Sequence, residues 1–474
     1  MEKFFGLKKR NTTVKTEILA GLTTFMAMAY ILMVNAGMFA DPFADGTNVL
    51  GVSFGAIYIA TAISAVIGSV LIGLLTNLPL AQASGMGLNA FFVYTVCVGF
   101  KLSYANALVL VLVDGLIFFV LTVTGLRRKI FTAIPDAVRK AIPAGIGLFI
   151  ALLGLQNAKI VVNSDATGIA LGSFNVISPT AEWAKIMPMI VAVIAVFIIA
   201  ILSKRGVKGS VLWGILSGAV LYYLLGYITV PQFHELFVAD NLSVDFIQPF
   251  KDFFSMSFGK VFTEGFNFKP YIEENGVWNF ILMFSTTALA FCMVDMFDTL
   301  GTLYGACARG NLLTKEGEVP NMDRAMLADA IATTTGAICG TSTVTTFVES
   351  SAGVAEGGRT GLAGVTTGVL FLIAMFLAPV AKLIPPCATA AALIYVGVLM
   401  MGCVKELDWH DPSVALPSFL TMAMMPFSYN ISYGIAFGLL SYVVVKTFTG
   451  KIKEIKAGTW VITALFLLML FLTH

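Results

Sequence analysis

The chain has 474 residues, of which 58% are hydrophobic and 12% charged, about half the charged fraction of an ordinary soluble protein. Its mean hydropathy is +0.89, and 29 basic against 27 acidic residues leave a net charge of +2. These values exclude a soluble enzyme, a secreted disulfide scaffold, a nucleic-acid binder and a disordered chain. The apolar residues come in runs of about 20, the length that crosses the hydrocarbon layer as a helix. The composition therefore predicts an all-α polytopic membrane protein.

A short basic tail, 1–17, opens the chain. No small-residue cleavage site follows a short apolar core, so the first apolar run is expected to stay as a span rather than leave as a signal peptide. Seven segments are predicted at 18–39, 51–76, 79–100, 105–125, 141–157, 186–202 and 207–229. A polar stretch, 230–277, separates them from seven more at 278–305, 325–339, 341–357, 361–384, 387–403, 412–427 and 430–448. A last apolar stretch, 458–472, is short for a span and is expected to lie at the surface or against the bundle.

Charge placement sets the orientation. Lys3, Lys8, Lys9, Arg10 and Lys15 precede the first span, and Arg127, Arg128, Lys129, Arg139 and Lys140 fall between the fourth and fifth. Lys204, Arg205 and Lys208 lie between the sixth and seventh, and Lys446, Lys451, Lys453 and Lys456 end the fourteenth. A cytoplasmic N-terminus puts all four clusters inside, as positive-inside sorting requires. Loop 40–50 has no Lys or Arg.

Seven spans before the long loop and seven after it give two halves of opposite topology. Span three (Pro79-Leu-Ala-Gln-Ala-Ser-Gly-Met-Gly-Leu-Asn89) and span ten (Gly340-Thr-Ser-Thr-Val-Thr-Thr-Phe-Val-Glu349-Ser-Ser-Ala-Gly353) occupy matching places. Both are interrupted by small and polar residues. Paired broken segments mark the central site of many transporters, because irregular backbone at membrane depth must line a cavity or sit inside protein. For one such segment, close helix packing through Gly and Ser is the simpler explanation. Two at equivalent positions, each with a strongly polar side chain, favour a site.

Five carboxylates fall inside predicted spans, Asp114, Asp295, Asp298, Asp329 and Glu349, with no Lys or Arg comparably deep. Each costs about 2.5–3.5 kcal/mol at a helix centre on insertion scales, so some are expected to be protonated or ligated when the site is empty. Asp295 and Asp298 stand three apart on one helix face and repel when both are ionised. Glu349 follows the interrupted stretch of span ten. Asp114 and Asp329 have no such setting, and an interhelical hydrogen bond accounts for them as well as a functional role. Cys97, Cys292, Cys307, Cys339, Cys387 and Cys403 form no CxxC pair and read as small buried hydrophobes. His234, His410 and His474 lie outside the apolar runs, so no metal centre is expected in the membrane. Lys382 and Lys446 lie near span ends and are expected to snorkel.

GMGLNAFF (85–92), VDMFDTLGTL (294–303) and GTSTVTTFVESSAGVAEGGRTGL (340–362) closely resemble the AzgA-like purine permeases of the nucleobase–cation symporters, and IPAGIGLFIALLGL (142–155) and MMPFSYNISYGIAFGLLSY (424–442) agree. The resemblance covers nearly the whole chain. It implies about fourteen transmembrane helices as two inverted seven-span repeats, with half-helices and short strands in spans three and ten. The core domain would comprise 18–125 (spans one to four) and 278–384 (eight to eleven), and the gate domain 141–229 (five to seven) and 387–448 (twelve to fourteen). Residues 230–277 would be an extracellular loop, and 449–474 a C-terminal segment that departs from the family's count.

The resemblance further implies that Asn89, Asp295 and Glu349 bind the purine, with Asp298 or Glu349 serving proton coupling. Asp295 would lie nearer the base and Asp298 behind it. Residue chemistry suits the role, since a carboxylate accepts from purine N–H groups and an Asn amide both accepts and donates. Phe91, Phe92 or Phe347 could stack on the base, although ordinary packing explains any one of them. An acid at position 295 resembles the hypoxanthine/guanine or broad-range members more than the adenine-preferring ones.

The expected function is import of hypoxanthine, guanine or adenine by proton symport through alternating access, in the cell membrane. Expected partners are the purine, protons and the lipid bilayer, with a homodimer admissible, no nucleic acid and no cofactor. A carrier for inorganic anions, or for uracil or xanthine, is the alternative within the fold, but an anion site prefers cationic groups and this centre is acidic. An intramembrane enzyme lacks support, because HExxH, a P-loop and a Ser/Lys pair are all absent from the sequence.

Overall fold

The structure of the protein, a computed structural model, describes residues 2–124, 134–165, 167–177, 182–230, 233, 245–315 and 318–472. Arg127, Arg128, Lys129, His234 and His474 lie outside the described residues. In chain order the first half runs α1 (Val14–Ala40), α2 (Phe54–Thr76), β1 (Gln82–Ser84), α3 (Met86–Gly99) and α4 (Tyr104–Thr124). It continues with α5 (Asp136–Asn157), β2 (Val161–Ser164), β3 (Gly168–Leu171), α6 (Trp183–Lys204) and α7 (Ser210–Thr229). The second half runs α8 (Val277–Arg309), α9 (Met322–Cys339), β4 (Val344–Thr346), α10 (Ser350–Ala355) and α11 (Gly361–Ala381). It closes with α12 (Pro386–Glu406), α13 (Pro412–Ser428), α14 (Ile431–Phe448) and α15 (Ala457–Leu472).

Ten of these helices, all but α3, α9, α10, α13 and α15, are long and apolar enough to cross a membrane. The chain is a multi-pass membrane protein. Helix length alone yields fewer than fourteen spans, for physical reasons. Helix α9 has 18 residues but carries Asp323, Arg324 and Asp329, and α13 has 17 with Pro417 and Pro426 inside it. Segments three and ten are short helices behind strands.

Strands β1 and β4 pair antiparallel, with Gln82 opposite Thr346, Ala83 opposite Thr345 and Ser84 opposite Val344. Bonds from Gly85 N–H to the Thr343 carbonyl (3.0 Å) and from Phe347 N–H to the Ala81 carbonyl (3.1 Å) extend the ladder. The pairing satisfies backbone groups that water cannot reach at this depth. At Gly85, where β1 turns into α3, a Cβ would lie 2.9 Å from Thr345 Oγ1, so the approach requires glycine.

The long helices pack in two groups. Helix α11 lies on α1 and α2, α9 on α2 and α4, α8 on α4, and α10 on α1. In the second group α5 packs on α12 and α13, α13 on α14, α6 on α7, and α12 on α6 and α7. Backbones touch where α2 meets α11, since a Cβ on Gly361 would stand 1.8 Å from the Gly73 carbonyl oxygen. One element departs from the sequence expectation: the link after α5 folds into the β2–β3 hairpin. The C-terminal stretch packs on the bundle, one of its two expected placements, as helix α15 lying against both α8 and α14, with Phe466 only 1% exposed.

Candidate functional site

The β1–β4 ladder is the floor of the site. Each strand hands its chain to a short helix, and because the strands run antiparallel α3 and α10 begin at opposite ends of the ladder, both inside the protein rather than at its surface. Ser350 fastens the crossing, its Oγ accepting from Ala81 N–H at 3.1 Å. Ser84 Oγ donates to Asn89 Oδ1 at 2.7 Å and lies 3.1 Å from Thr341 Oγ1. Asn35 in turn donates to Thr341 (3.0 Å) and Thr61 (2.7 Å), so α1, α2, β1 and the approach to β4 share one hydroxyl–amide network.

Glu349 stands at the start of α10, and Tyr30 OH donates to its Oε1 at 2.8 Å. Tyr30 follows Ala29, which separates the two helical pieces of α1. Asp298, on α8, accepts from Thr345 Oγ1 of β4 at 3.3 Å. Both acids are partly exposed, and Glu349 lies close enough for its charge to act on Asp298. An open strip leads away from them along α8 through Gly301, Tyr304, Gly305 and Ala308, all exposed, toward Arg309. Exposed Val348 flanks Glu349. A Cβ added at Gly301 or Gly305 would touch nothing, so the strip is free space.

The other two predicted site residues lie deeper. Asn89 and Asp295 are fully buried. Asn89 spends its amide on Ser84, accepting from the hydroxyl and donating to the carbonyl oxygen at 3.4 Å. Asp295 Oδ2 accepts from Thr333 Oγ1 at 3.4 Å, a hydroxyl it shares with the Val344 carbonyl at 3.2 Å, and its Oδ1 has no donor. The expectation set Asp295 nearer the base and Asp298 behind it. Exposure runs in the opposite order.

Of the three aromatic candidates, Phe91 and Phe92 are sealed in packing. Their ring centroids lie 4.9 Å from that of Phe291 and 5.0 Å from that of Phe39, respectively. Phe347, next to the β4–α10 turn, remains beside Glu349 in the chain and is 6% exposed. Reading the sequence missed Tyr30 and Thr333 as site residues, because single hydroxyls in apolar helices carry no pattern, and it missed Thr345, one of several threonines in the interrupted stretch of span ten with nothing to single it out. Gln82 was visible in the interrupted stretch, and it donates to Asp329 at 2.9 Å. A cavity of about 1390 Å³ lies elsewhere, near Asp41, Lys159, Tyr222 and Lys382, and none of the four predicted residues lines it.

The site thus offers two partly exposed carboxylates at a crossing of half-helices, with hydroxyls behind them and no facing cation among the described residues. Such a site accepts hydrogen bonds from neutral N–H groups and has nothing to neutralise an anion. The fold resembles that of the transmembrane domain of the cyanobacterial bicarbonate transporter BicA, with TM-score 0.57, 17% identity, and coverage of 90% of this chain and 95% of that one. Among curated relatives, the chain is 39% identical to the putative permease MJ0326 of Methanocaldococcus jannaschii over 99% of this chain and 97% of the relative. It is 34% identical to the adenine permease AdeP of Escherichia coli (99% and 95%) and 37% identical to the guanine/hypoxanthine permease PbuG of Bacillus subtilis (99% and 100%). The model of the Permease family (Xan_ur_permease) matches residues 15–455, and the chain belongs to that family.

Proposed function

We propose that this protein is a secondary active transporter of purine nucleobases, taking up hypoxanthine, guanine or adenine with protons by alternating access. The observation that carries the reading is the partly exposed Asp298–Glu349 pair at the half-helix crossing. Full-length relatives named as adenine and guanine/hypoxanthine permeases support it. Glu349 and Asp298 accept from purine N–H groups, and Phe347 offers the nearest aromatic face. Asn89 orients the half-helix behind the base, and Asp295, three residues before Asp298 on α8, stays buried behind it.

The two helix groups support a division into a core domain (spans one to four and eight to eleven) and a gate domain (five to seven and twelve to fourteen), as inverted seven-span repeats. With the N-terminus cytoplasmic in the cell membrane, the Arg309 end of α8 faces the cytoplasm, and the strip from Asp298 is an inward opening. An acidic centre without a facing cation argues against inorganic anions as substrates.

Uptake of radiolabelled hypoxanthine, guanine, adenine and sulfate in a transport-deficient host tests the reading. Saturable uptake of at least one purine, competed by unlabelled purines and accompanied by no sulfate uptake, is expected. Sulfate uptake without purine uptake contradicts it.

A further inference from the structure

The purine reading leaves a separate group of acids without a task. Asp114 on α4, Asp295 on α8 and Asp329 on α9 are each 0% exposed. Asp329 bonds to Gln82 of β1, Asp295 shares the Thr333 hydroxyl of α9 with the Val344 carbonyl of β4, and α4, which carries Asp114, packs on both α8 and α9, so the three acids gather behind the β1–β4 floor. The charges of Asp329 and Asp114 act on Asp295, that of Asp114 acts on Asp329, and Cys292, one turn before Asp295, feels both Asp114 and Asp295.

Only one of the three is well supplied with donors. Asp329 accepts from Gln82 Nε2 and from Thr299 Oγ1, both at 2.9 Å. Asp295 has the single shared Thr333 hydroxyl. Both oxygens of Asp114 and Oδ1 of Asp295 have no partner at all. An ionised oxygen with no donor, in a place water does not reach, demands either a cation or a proton.

The surrounding elements bring no cation to the acids: Arg309 closes α8 and Arg324 lies in the first turn of α9, and neither acts on Asp295 or Asp329. Helix α8 contributes Cys292 and Asp298 beside Asp295, α4 and α9 contribute the other two acids, and the adjoining strands present Gln82 and threonines. Helix α2, packed on α9, has no charged residue. Among the described residues, every charge acting on Asp295 and Asp329 is another carboxylate. No cluster of three acidic, His or Cys ligands among the described residues is arranged to hold a metal ion. A proton needs no such cage.

We propose that Asp114, Asp295 and Asp329 form a sealed proton-binding site that holds the coupling proton, distinct from the Glu349–Asp298 pair that takes the base. The coupling role rests on the purine-transport reading, whereas the proton site itself does not. The proton belongs to the group rather than to one residue, as in any set of strongly interacting acids. Asp298 connects the two regions. It lies three residues from Asp295 on α8, its charge acts on both Asp295 and Asp329, and its own charge environment includes Glu349. A base that engages Asp298 therefore changes how firmly the sealed group holds its proton, which is the reciprocal coupling symport requires. The proton enters from water through Asp298, resides on the group during the transition, and leaves by the same carboxylate on the other side.

Asp114→Asn tests this, because it keeps shape, removes the titratable group and touches no residue assigned to the base. In proteoliposomes with a trapped pH dye, the variant is expected to bind purine and exchange labelled for unlabelled purine as the wild type does. It should lose accumulation driven by an imposed proton gradient and lose purine-linked proton movement. Undiminished accumulation with a wild-type proton-to-base ratio overturns the proposal, as does wild-type accumulation driven by a Na⁺ gradient and not by protons. Infrared difference spectroscopy of the wild type supplies a measurement that needs no variant. Bands of protonated buried carboxyls should be present in the purine-free protein, and their absence overturns the proton site. Should the wild type neither bind nor exchange purine, the substrate reading fails while the infrared result still decides the site.

Discussion

Two groups of carboxylates sit within a few turns of each other, and their surroundings separate them. Asp298 and Glu349 are partly exposed, each has one hydroxyl donor, and an open strip along α8 leads to them. Asp114, Asp295 and Asp329 are wholly buried, and three of their oxygens have no donor. The open pair can exchange partners with a ligand as large as a purine. The sealed group can exchange only something as small as a proton. The contrast shows that an intramembrane acid is assigned by what can reach it, not by its residue type.

The contrast breaks most sharply at Glu349. Replacing it by Gln keeps the shape but puts an amide donor where purine N–H groups need an acceptor, so uptake should cease at normal expression. Wild-type uptake by this variant would remove Glu349 from the site. Asp298→Asn is expected to cost one charge-assisted hydrogen bond, about 1.5–3 kcal/mol, or roughly 12- to 160-fold in purine affinity. An unchanged dissociation constant, measured by equilibrium binding on purified protein, would move Asp298 out of contact with the base.

Asn89→Ala sharpens the comparison from behind. It leaves the buried Ser84 hydroxyl without its acceptor, at about 1–3 kcal/mol. The loss should appear mainly as a lower melting temperature in detergent, with a smaller fall in affinity. A severe affinity loss at unchanged stability would mark Asn89 as a direct ligand instead. Tyr30→Phe removes the hydroxyl that orients Glu349 and should weaken binding by about 0.5–1.5 kcal/mol, roughly 2- to 12-fold. Binding titrations at one pH decide this, and no change would mean that Glu349 needs no orientation from α1. The smallest effect is expected at Lys208→Ala. This half-exposed residue pairs with Glu356 past the end of α10, and surface pairs contribute about 0–1 kcal/mol. A large stability loss in thermal melts would show that the pair is a principal tie between the helix groups.

Much of the fold was legible in the sequence because lipid imposes a simple rule. Apolar runs of spanning length mark helices, and the breaks at Pro79–Asn89 and Gly340–Gly353 mark the two places where the rule is suspended. Both became strand and short helix. The β2–β3 hairpin was not legible, since Val161–Ser164 and Gly168–Leu171 are short and flanked by polar residues with no alternation to distinguish them. Among the acids, the sequence located all five but could not rank them by access. Asp295 and Asp298 differ by less than one helical turn, and whether a carboxylate faces the α9 side or the open strip depends on the rotation of α8. That rotation is set by packing against α4, β4 and α10, which lie far away in the chain. Tyr30, which holds Glu349 from 319 positions away, illustrates the same limit.

Equilibrium binding of radiolabelled hypoxanthine, guanine and adenine to purified protein, with the wild type, Glu349→Gln and Asp114→Asn side by side, tests the central claim most directly. The account predicts that the wild type and Asp114→Asn bind at least one of the three with similar affinity, and that Glu349→Gln binds none. Retained binding in Glu349→Gln together with its loss in Asp114→Asn would place the base among the sealed acids and contradict the account.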